Sequence, residues 1–206
     1  MIFRNWDVAY RSVPPWDVGE PQPAFVRLVE DGELRPGRVL DAGCGTGENA
    51  LLLARSGCEV TGIDLAEDAI AQAGEKAAER GVSVTFIVGN ALELDRLFGE
   101  GTFDAAIDSG LFHVMADEER PVLARQVHRV LKPGGSYFMM CFSDREPGKW
   151  GPRRVSVPEI ERTFAPLFRI NYIRDAYFLS WAEDRKPKAY LMSATKMSVT
   201  RSAPKT

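Results

Sequence analysis

Five short apolar runs recur along the first two thirds of the chain, at 38–40, 59–63, 82–88, 103–107 and 136–142. Their length and their Val, Ile and Phe content predict buried strands. Between them the apolar spacing becomes helical. Asn49 to Ala54, the alanine-rich stretch 66–80, and 118–131 with Leu123, Val127, Val130 and Leu131 on one face each predict a helix. Lys132-Pro133-Gly134-Gly135 is a stop signal for the last of these. Strands alternating with helices predict a mostly parallel sheet covered on both faces.

The last third changes character. Val157 to Phe164 predicts a short helix; 168–172, extendable to Phe178, and 189–197 predict two strands with no helix between them, hence an antiparallel edge pair. The expected fold class is therefore α/β, a three-layer sandwich around a seven-stranded, mostly parallel sheet with an antiparallel C-terminal strand. One domain is expected over 1–198: an N-terminal lid segment (1–35), a ligand-binding core (36–142), and a flap with the C-terminal strands (143–198). A polar, frayed tail is expected over 199–206. The loop Ser143 to Pro152, rich in Gly, Pro and charge, predicts a flap over the strands' carboxyl ends.

In such sheets ligands bind at those carboxyl ends, where the strand order reverses. The stretch Val39-Leu40-Asp41-Ala42-Gly43-Cys44-Gly45-Thr46-Gly47-Glu48 lies at such a strand-to-helix turn. Its glycines let a ligand approach the backbone, and the following helix presents unpaired N–H groups. A dinucleotide loop of the Gly-x-Gly-x-x-Gly kind would carry glycine or alanine at position 48, where this chain has Glu48. Asp64, at the end of the next strand, is placed to accept the hydroxyls of a ribose. With Asp41 and Asp108 it gives an acidic rim that suits a cationic nucleoside better than a pyrophosphate.

Composition narrows the partners. The net charge is −3, and 26 Lys and Arg are interspersed with 29 Asp and Glu, so no basic footprint for nucleic acid is present. Cys44, Cys58 and Cys141 form no CxxC pair, which predicts reduced thiols in a cytoplasmic protein and no metal site. The N-terminus lacks an apolar signal core and no run reaches the roughly 18 apolar residues of a membrane span. The expected partner is a small molecule, with the protein acting as monomer or homodimer.

Val39 to Gly47, Gly62-Ile63-Asp64-Leu65, Gly89-Asn90-Ala91, 103–108 and Leu131-Lys-Pro-Gly-Gly135 together resemble the class I S-adenosylmethionine-dependent methyltransferases, over residues 36 to 142. The resemblance implies a Rossmann-like fold with S-adenosylmethionine as the sole cofactor and S-adenosylhomocysteine as its product. Gly43, Cys44 and Gly45 would pack against the methionine part, Asp64 would bind the ribose, Leu65 would lie on the adenine, and Asn90 with Ala91 would reach its edge. Many family members carry Asp where this chain has Asn90; an Asn carbonyl can still accept there. The segment Pro14-Pro15-Trp16-Asp17-Val18-Gly19-Glu20-Pro21-Gln22-Pro23 is similar to the Trp-Asp-x-Gly segment of the thiopurine, thiol and halide methyltransferase branch and of the mycobacterial heterocyclic toxin methyltransferases. That likeness implies a strap across the cofactor, with Trp16 near the sulfonium, where an indole face gains a cation–π attraction. Branch members methylate O, S, N or halide of small acceptors, and the reading drawn here is an aromatic or heterocyclic one.

His113 follows the fourth strand and is expected to orient the substrate or act as general base; His128 lies off its helix's apolar stripe and reads as a surface residue. Trp6 and Tyr10, four apart on an N-terminal helix, Phe112, and Arg145 and Trp150 in the flap are candidate substrate contacts, with Phe178 a further apolar wall. Each also has a plainer reading: Trp16 as a core anchor, Asp17 as a turn former, Asp64 as a helix N-cap, Asp41 as a partner of the loop backbone, Arg145 as solvated charge. Cys44 would offer its backbone rather than its thiol. Three rivals are kept: a thiol or halide methyltransferase, a reductase using NAD, against which Glu48 argues, and a non-catalytic sensor that binds the cofactor.

Overall fold

The computed structural model describes residues 6–181 and 186–197; the tail expected over 199–206 lies outside the described residues. In chain order the elements are α1 (Trp6–Tyr10), α2 (Pro23–Glu30), β1 (Arg38–Ala42), α3 (Glu48–Arg55), β2 (Glu59–Asp64), α4 (Glu67–Glu79) and β3 (Thr85–Val88). They continue with a 3-10 turn (Ala91–Glu93), α5 (Leu94–Leu97), β4 (Phe103–Ser109), α6 (Leu111–Val114), α7 (Arg120–Val130), β5 (Leu131–Phe142), α8 (Val157–Phe164), β6 (Phe168–Tyr177) and β7 (Lys188–Lys196).

The seven strands form one sheet in the order β3-β2-β1-β4-β5-β7-β6. The first five run parallel; β7 is antiparallel to both β5 and β6. The expected antiparallel pairing is present, with β7 lying between β5 and the edge strand β6. Alternation along β5 shows why the sheet is sandwiched. Tyr137, Met139 and Cys141 join a core with Leu123 and Val127 of α7 and Ile160 and Phe164 of α8. Phe138, Met140 and Phe142 face the other layer, with Phe25 and Leu28 of α2 and Leu53 of α3. A strand with both faces buried must read as continuously apolar, and 136–142 does.

Two boundaries differ from the sequence reading. The strand expected over 82–88 begins only at Thr85, because Val82 N–H is taken by Ala77 O (2.9 Å) in the turn that ends α4. Pro133-Gly134-Gly135 does stop α7, but it is absorbed as a bulge inside β5: Leu131 pairs with Phe103, and regular pairing resumes at Ser136 opposite Ala105. The sheet's order reverses beside β1, whose neighbours are β2 and β4. The carboxyl ends of these three strands therefore converge, carrying Asp41, Asp64 and Asp108 to one edge of the sheet.

Candidate active site

A cavity of about 810 Å³ opens above these strand ends. Its floor is the β1–α3 loop. Gly43 and Cys44 N–H both donate to Ile63 O (2.8 and 3.0 Å), tying the loop to β2. Gly45 N–H donates to Asp64 Oδ2 (2.9 Å), while Asp64 Oδ1 accepts from Ala66 N–H (3.0 Å). Asp64 is therefore not the N-cap of α4, which is Ala66 and has no side-chain cap; its carboxylate braces the chain just before the helix and the glycine loop at once, on the cavity wall. Gly45 has φ +53°, and a Cβ there would meet the Tyr10 hydroxyl at 2.8 Å. Gly47, at φ +85°, would drive a Cβ into the Phe86 ring at 2.8 Å, so it serves helix–sheet packing as much as ligand approach.

Glu48, the residue that breaks the dinucleotide pattern, takes bidentate bonds from Arg80 (2.7 and 2.9 Å) and lies 3.0 Å from Lys76. Burial pushes its carboxyl up, but the two cations outweigh this and hold it below the usual range. Further round the cavity, Leu65 is exposed into it. Asn90 also lines it, but Asn90 Oδ1 already accepts from Leu92 N–H (2.9 Å) as N-cap of the 3-10 turn, leaving one lone pair of that oxygen for a ligand.

Asp41 and Asp108, expected to touch the ligand, lie beneath the floor instead. Asp108 accepts from Leu111 N–H (2.7 Å), Phe112 N–H (3.1 Å) and the Tyr137 hydroxyl (3.2 Å), so it builds the first turn of α6. Burial raises its pKa, and these donors oppose the rise. Asp41 is 1% exposed and neither oxygen has a partner. Burial, with Asp108 and then Asp64 nearby, pushes its carboxyl up to about 8. A buried carboxyl without a donor is costly when ionised, and a cation bound above the loop is what would relieve it. The unpartnered acid and the Cβ-free cradle fit a cationic nucleoside.

The other half of the cavity is aromatic. Phe142 stacks on Phe178 (5.4 Å, 27°), Trp150 meets Phe142 edge-on (5.8 Å), and His113 meets both phenylalanines edge-on (5.2 and 5.7 Å). His113 Nδ1 accepts from Phe142 N–H (3.1 Å), which puts the ring proton on Nε2; among the described residues Nε2 bonds to no protein group. Burial, then the charges of Arg120 and Arg154, push its pKa down to about 3. With Nδ1 engaged by the backbone N–H and the ring proton on Nε2, the ring as it stands is a hydrogen-bond donor on the cavity wall. The indole N–H of Trp150 is buried and has no partner.

Two expected substrate contacts point elsewhere. Phe112 is fully buried in the core against Phe164 (5.1 Å), because Asp108 fixes α6 with Phe112 inward and His113 toward the cavity. Arg145 Nη1 donates to both carboxylate oxygens of Asp175 (3.0 and 2.9 Å), and the guanidinium lies over the Tyr190 ring, off the cavity. His128 is half-buried against Phe168 rather than free on the surface. Trp6, Tyr10, Trp16 and Trp150 do line the cavity. So do residues the sequence reading passed over: Gln22, Asn49, Thr46, Met115, Leu179 and Ser180. Gln22 exchanges bonds with the Leu179 backbone (2.7 and 3.3 Å) across 157 positions, a pairing without local signature. Among the described residues no group of three or more His, Cys, Asp or Glu could hold a metal, and no helix is long and apolar enough to cross a membrane.

A reversed sheet order, with a glycine loop braced by an acid and a cavity above the strand ends, defines a Rossmann-like fold with its ligand site at the switch point. Residues 39–135 match the family of methyltransferase domains. A 2-heptyl-1-hydroxyquinolin-4(1H)-one methyltransferase of Mycobacteroides abscessus is 38% identical over 167 residues, spanning 79% of this chain and 72% of the relative. A thiocyanate methyltransferase 1 of Arabidopsis thaliana is 28% identical over 166 residues, with the same 79% and 72% coverage. A structure from work on conversion of a disulfide bond into a thioacetal group during echinomycin biosynthesis superposes with a TM-score of 0.86, at 32% identity and 96% and 92% coverage of the two chains. The Burkholderia thailandensis 1,6-didemethyltoxoflavin-N1-methyltransferase, solved with its substrate and S-adenosylhomocysteine, gives 0.69 at 26% identity, covering 85% and 77%. The chain belongs to the class I S-adenosylmethionine-dependent methyltransferases that act on small molecules.

Proposed function

We propose that this enzyme methylates a flat aromatic or heteroaromatic acceptor on an oxygen, sulfur or ring nitrogen that is nucleophilic without help from a protein base. The observation that carries this is His113: the polar group within the aromatic half of the cavity is neutral, with Nδ1 occupied and Nε2–H free to donate. The rings of Phe142, Phe178 and Trp150 fit a planar molecule, and aromatic pairs of this kind contribute about 0.5–1.5 kcal/mol each beyond their area. A phenolate, hydroxyheterocycle or thiolate would receive the Nε2–H bond and be held facing the donor. The relatives named for a hydroxyquinolinone and a thiocyanate support a soft or acidic acceptor of this sort.

Bound S-adenosylmethionine supplies a methyl on a sulfonium, which a nucleophile can take by in-line displacement. The chain's residues then have three tasks. Asp64, Leu65, Asn90 and Ala91 would hold the adenosine, with Gly43 to Gly47 under the amino-acid part and Asp41 compensating positive charge from below. Trp16, Tyr10 and Trp6 would cover the reacting centre and exclude water, where an indole face near a cation gains about 0.5–2 kcal/mol. His113 and the aromatic wall would fix the acceptor near van der Waals contact, the positional part of the catalysis. We place the enzyme in the cytoplasm, as one domain over 1–198 working as monomer or homodimer without nucleic acid.

Label transfer from methyl-labelled cofactor to a panel of hydroxyquinolines, phenols, thiols and thiocyanate tests the reading. Transfer to the hydroxyheterocycles at rates well above thiocyanate is expected. Transfer to thiocyanate or halide alone would favour the thiol and halide alternative.

A further inference from the structure

The N-terminal strap that carries Trp16 is held by little apolar burial. Val8, Val13 and Trp16 are 52%, 75% and 41% exposed, whereas the 1.5–3 kcal/mol typical of a buried apolar side chain requires full removal from water. Trp16 rests edge-on against Trp6 and Tyr10 and donates to the Tyr10 hydroxyl (3.2 Å), and polar bonds fasten the rest of the strap. At its far end Gln22 is fastened twice to Leu179, and Gln22 N–H donates to Asn49 Oδ1 (2.9 Å). Further along, the indole of Trp181 donates to Asp17 O (2.9 Å).

The Asp17 side chain reaches the other way, to the glycine loop and α4. Thr46 Oγ1 donates to Asp17 Oδ1 (2.9 Å) and accepts from Lys76 Nζ (2.7 Å), and the same ammonium lies 3.6 Å from Asp17 and 3.0 Å from Glu48. The three charged side chains are only 12%, 22% and 9% exposed for Asp17, Lys76 and Glu48. One cation thus separates two carboxylates that would otherwise face each other across Thr46 in a poorly solvated place. Arg80 stands on the far side of Glu48 and does not reach Asp17.

We infer that Lys76 is a positioning residue for cofactor binding: acting through Asp17 and Thr46, it latches the strap shut and so holds Trp16 at the cavity. Lys76 does not itself line the cavity, so its influence must pass through the strap. Without the ammonium, Asp17 and Glu48 repel and the strap opens. A site competent in only a fraction of molecules binds its ligand more weakly by that fraction.

All four tryptophans sit on the cavity or on the strap's bonds, and Arg11, with a side chain 71% exposed, offers trypsin a cut within the strap. Lys76→Met is expected to weaken S-adenosylhomocysteine binding in calorimetry about tenfold, equivalent to about 1.4 kcal/mol. It should also speed tryptic cleavage after Arg11 in the cofactor-free protein and increase acrylamide quenching of tryptophan fluorescence. Lys76→Arg should restore all three readouts to near the parent values, and Asp17→Asn combined with Lys76→Met should cost less than the sum of the single changes. Should Lys76→Met fail to fold, Asp17→Asn carries the cleavage and quenching readouts. Affinity and cleavage within twofold of the parent, or additive effects in the double variant, would overturn the latch.

Discussion

The two halves of the cavity are built on opposite plans. The cofactor half is made of backbone and acids from stretches at 41–65 and 89–91, tied together across neighbouring strand ends by the bonds of Gly43 and Cys44 to Ile63 O, Gly45 to the Asp64 carboxylate, and Gly89 to Asp64 O. The acceptor half takes His113 from α6, Phe142 from β5, and Trp150 and Phe178 from two loops, and its imidazole is fixed by a strand 29 positions away. The first half is polar and is assembled by the parallel pairing of β1, β2 and β3, which follow one another in the chain; the second is apolar and exists only after β5, β6 and β7 have paired. A donor common to many enzymes needs a constant cradle, whereas an acceptor particular to one enzyme can be met by repacking a few rings.

If the halves are independent, a change in one should leave the other's affinity intact. Asp64→Ala should have the largest effect, at least about a hundredfold loss of S-adenosylhomocysteine affinity in calorimetry, since hydrogen bonds to a charged group are worth about 1.5–3 kcal/mol each and the Gly45 and Ala66 N–H groups also lose their partner. A loss under fivefold would remove Asp64 from the cofactor half.

Asp41→Asn should act on stability. Asp41 titrates higher in the folded chain, at about 8, than its ordinary 3.8, so the folded state binds more protons between those values. The stability that its protonated form contributes is full at low pH and is lost as pH rises through about 8. Asparagine imitates the protonated form and should therefore stabilise the cofactor-free protein at pH 9 relative to pH 5, by about 4 kcal/mol in urea titrations. An equal effect at both pH values would mean that Asp41 is ionised throughout.

His113→Ala should lower turnover about tenfold, near 1.4 kcal/mol, while cofactor affinity stays within twofold. The same absence of a base predicts that kcat/KM rises with pH through the acceptor's own ionisation, so a more acidic acceptor moves the inflection down. An inflection near 6.5 that stays put across acceptors would assign the proton transfer to the protein. The smallest effect is expected for Phe178→Leu: a three- to tenfold rise in acceptor KM from the lost ring contacts with Phe142 and His113, with cofactor binding unchanged. Equal weakening of both ligands would show that the halves are coupled.

Particular residues show where sequence reading reached and where it stopped. The strands, the glycine loop and Asp64 were legible because period, turn chemistry and spacing act over a few residues. Phe112 and His113 are adjacent, and no local rule says which of them turns inward; the bonds from Asp108 to the first turn of α6 decide it. Arg145 looked free in a charged loop, but the β6–β7 edge brings Asp175 to it. Glu48 was read as a departure from one motif, while its partners Lys76 and Arg80 lie a helix away.

The sequence by itself determined the layered α/β architecture and the cradle at the end of β1, which follow from apolar period, turn chemistry and spacing, and the resemblance its motifs carry implied the methyl donor. The tertiary structure alone decided that Asp41 and Asp108 lie under the floor, that His113 Nδ1 is taken by the Phe142 N–H, and that Asp17 of the strap meets a lysine on α4. Burial, tautomer and charge pairing depend on what lies opposite in space, and only the closed sheet with its strap supplies those partners.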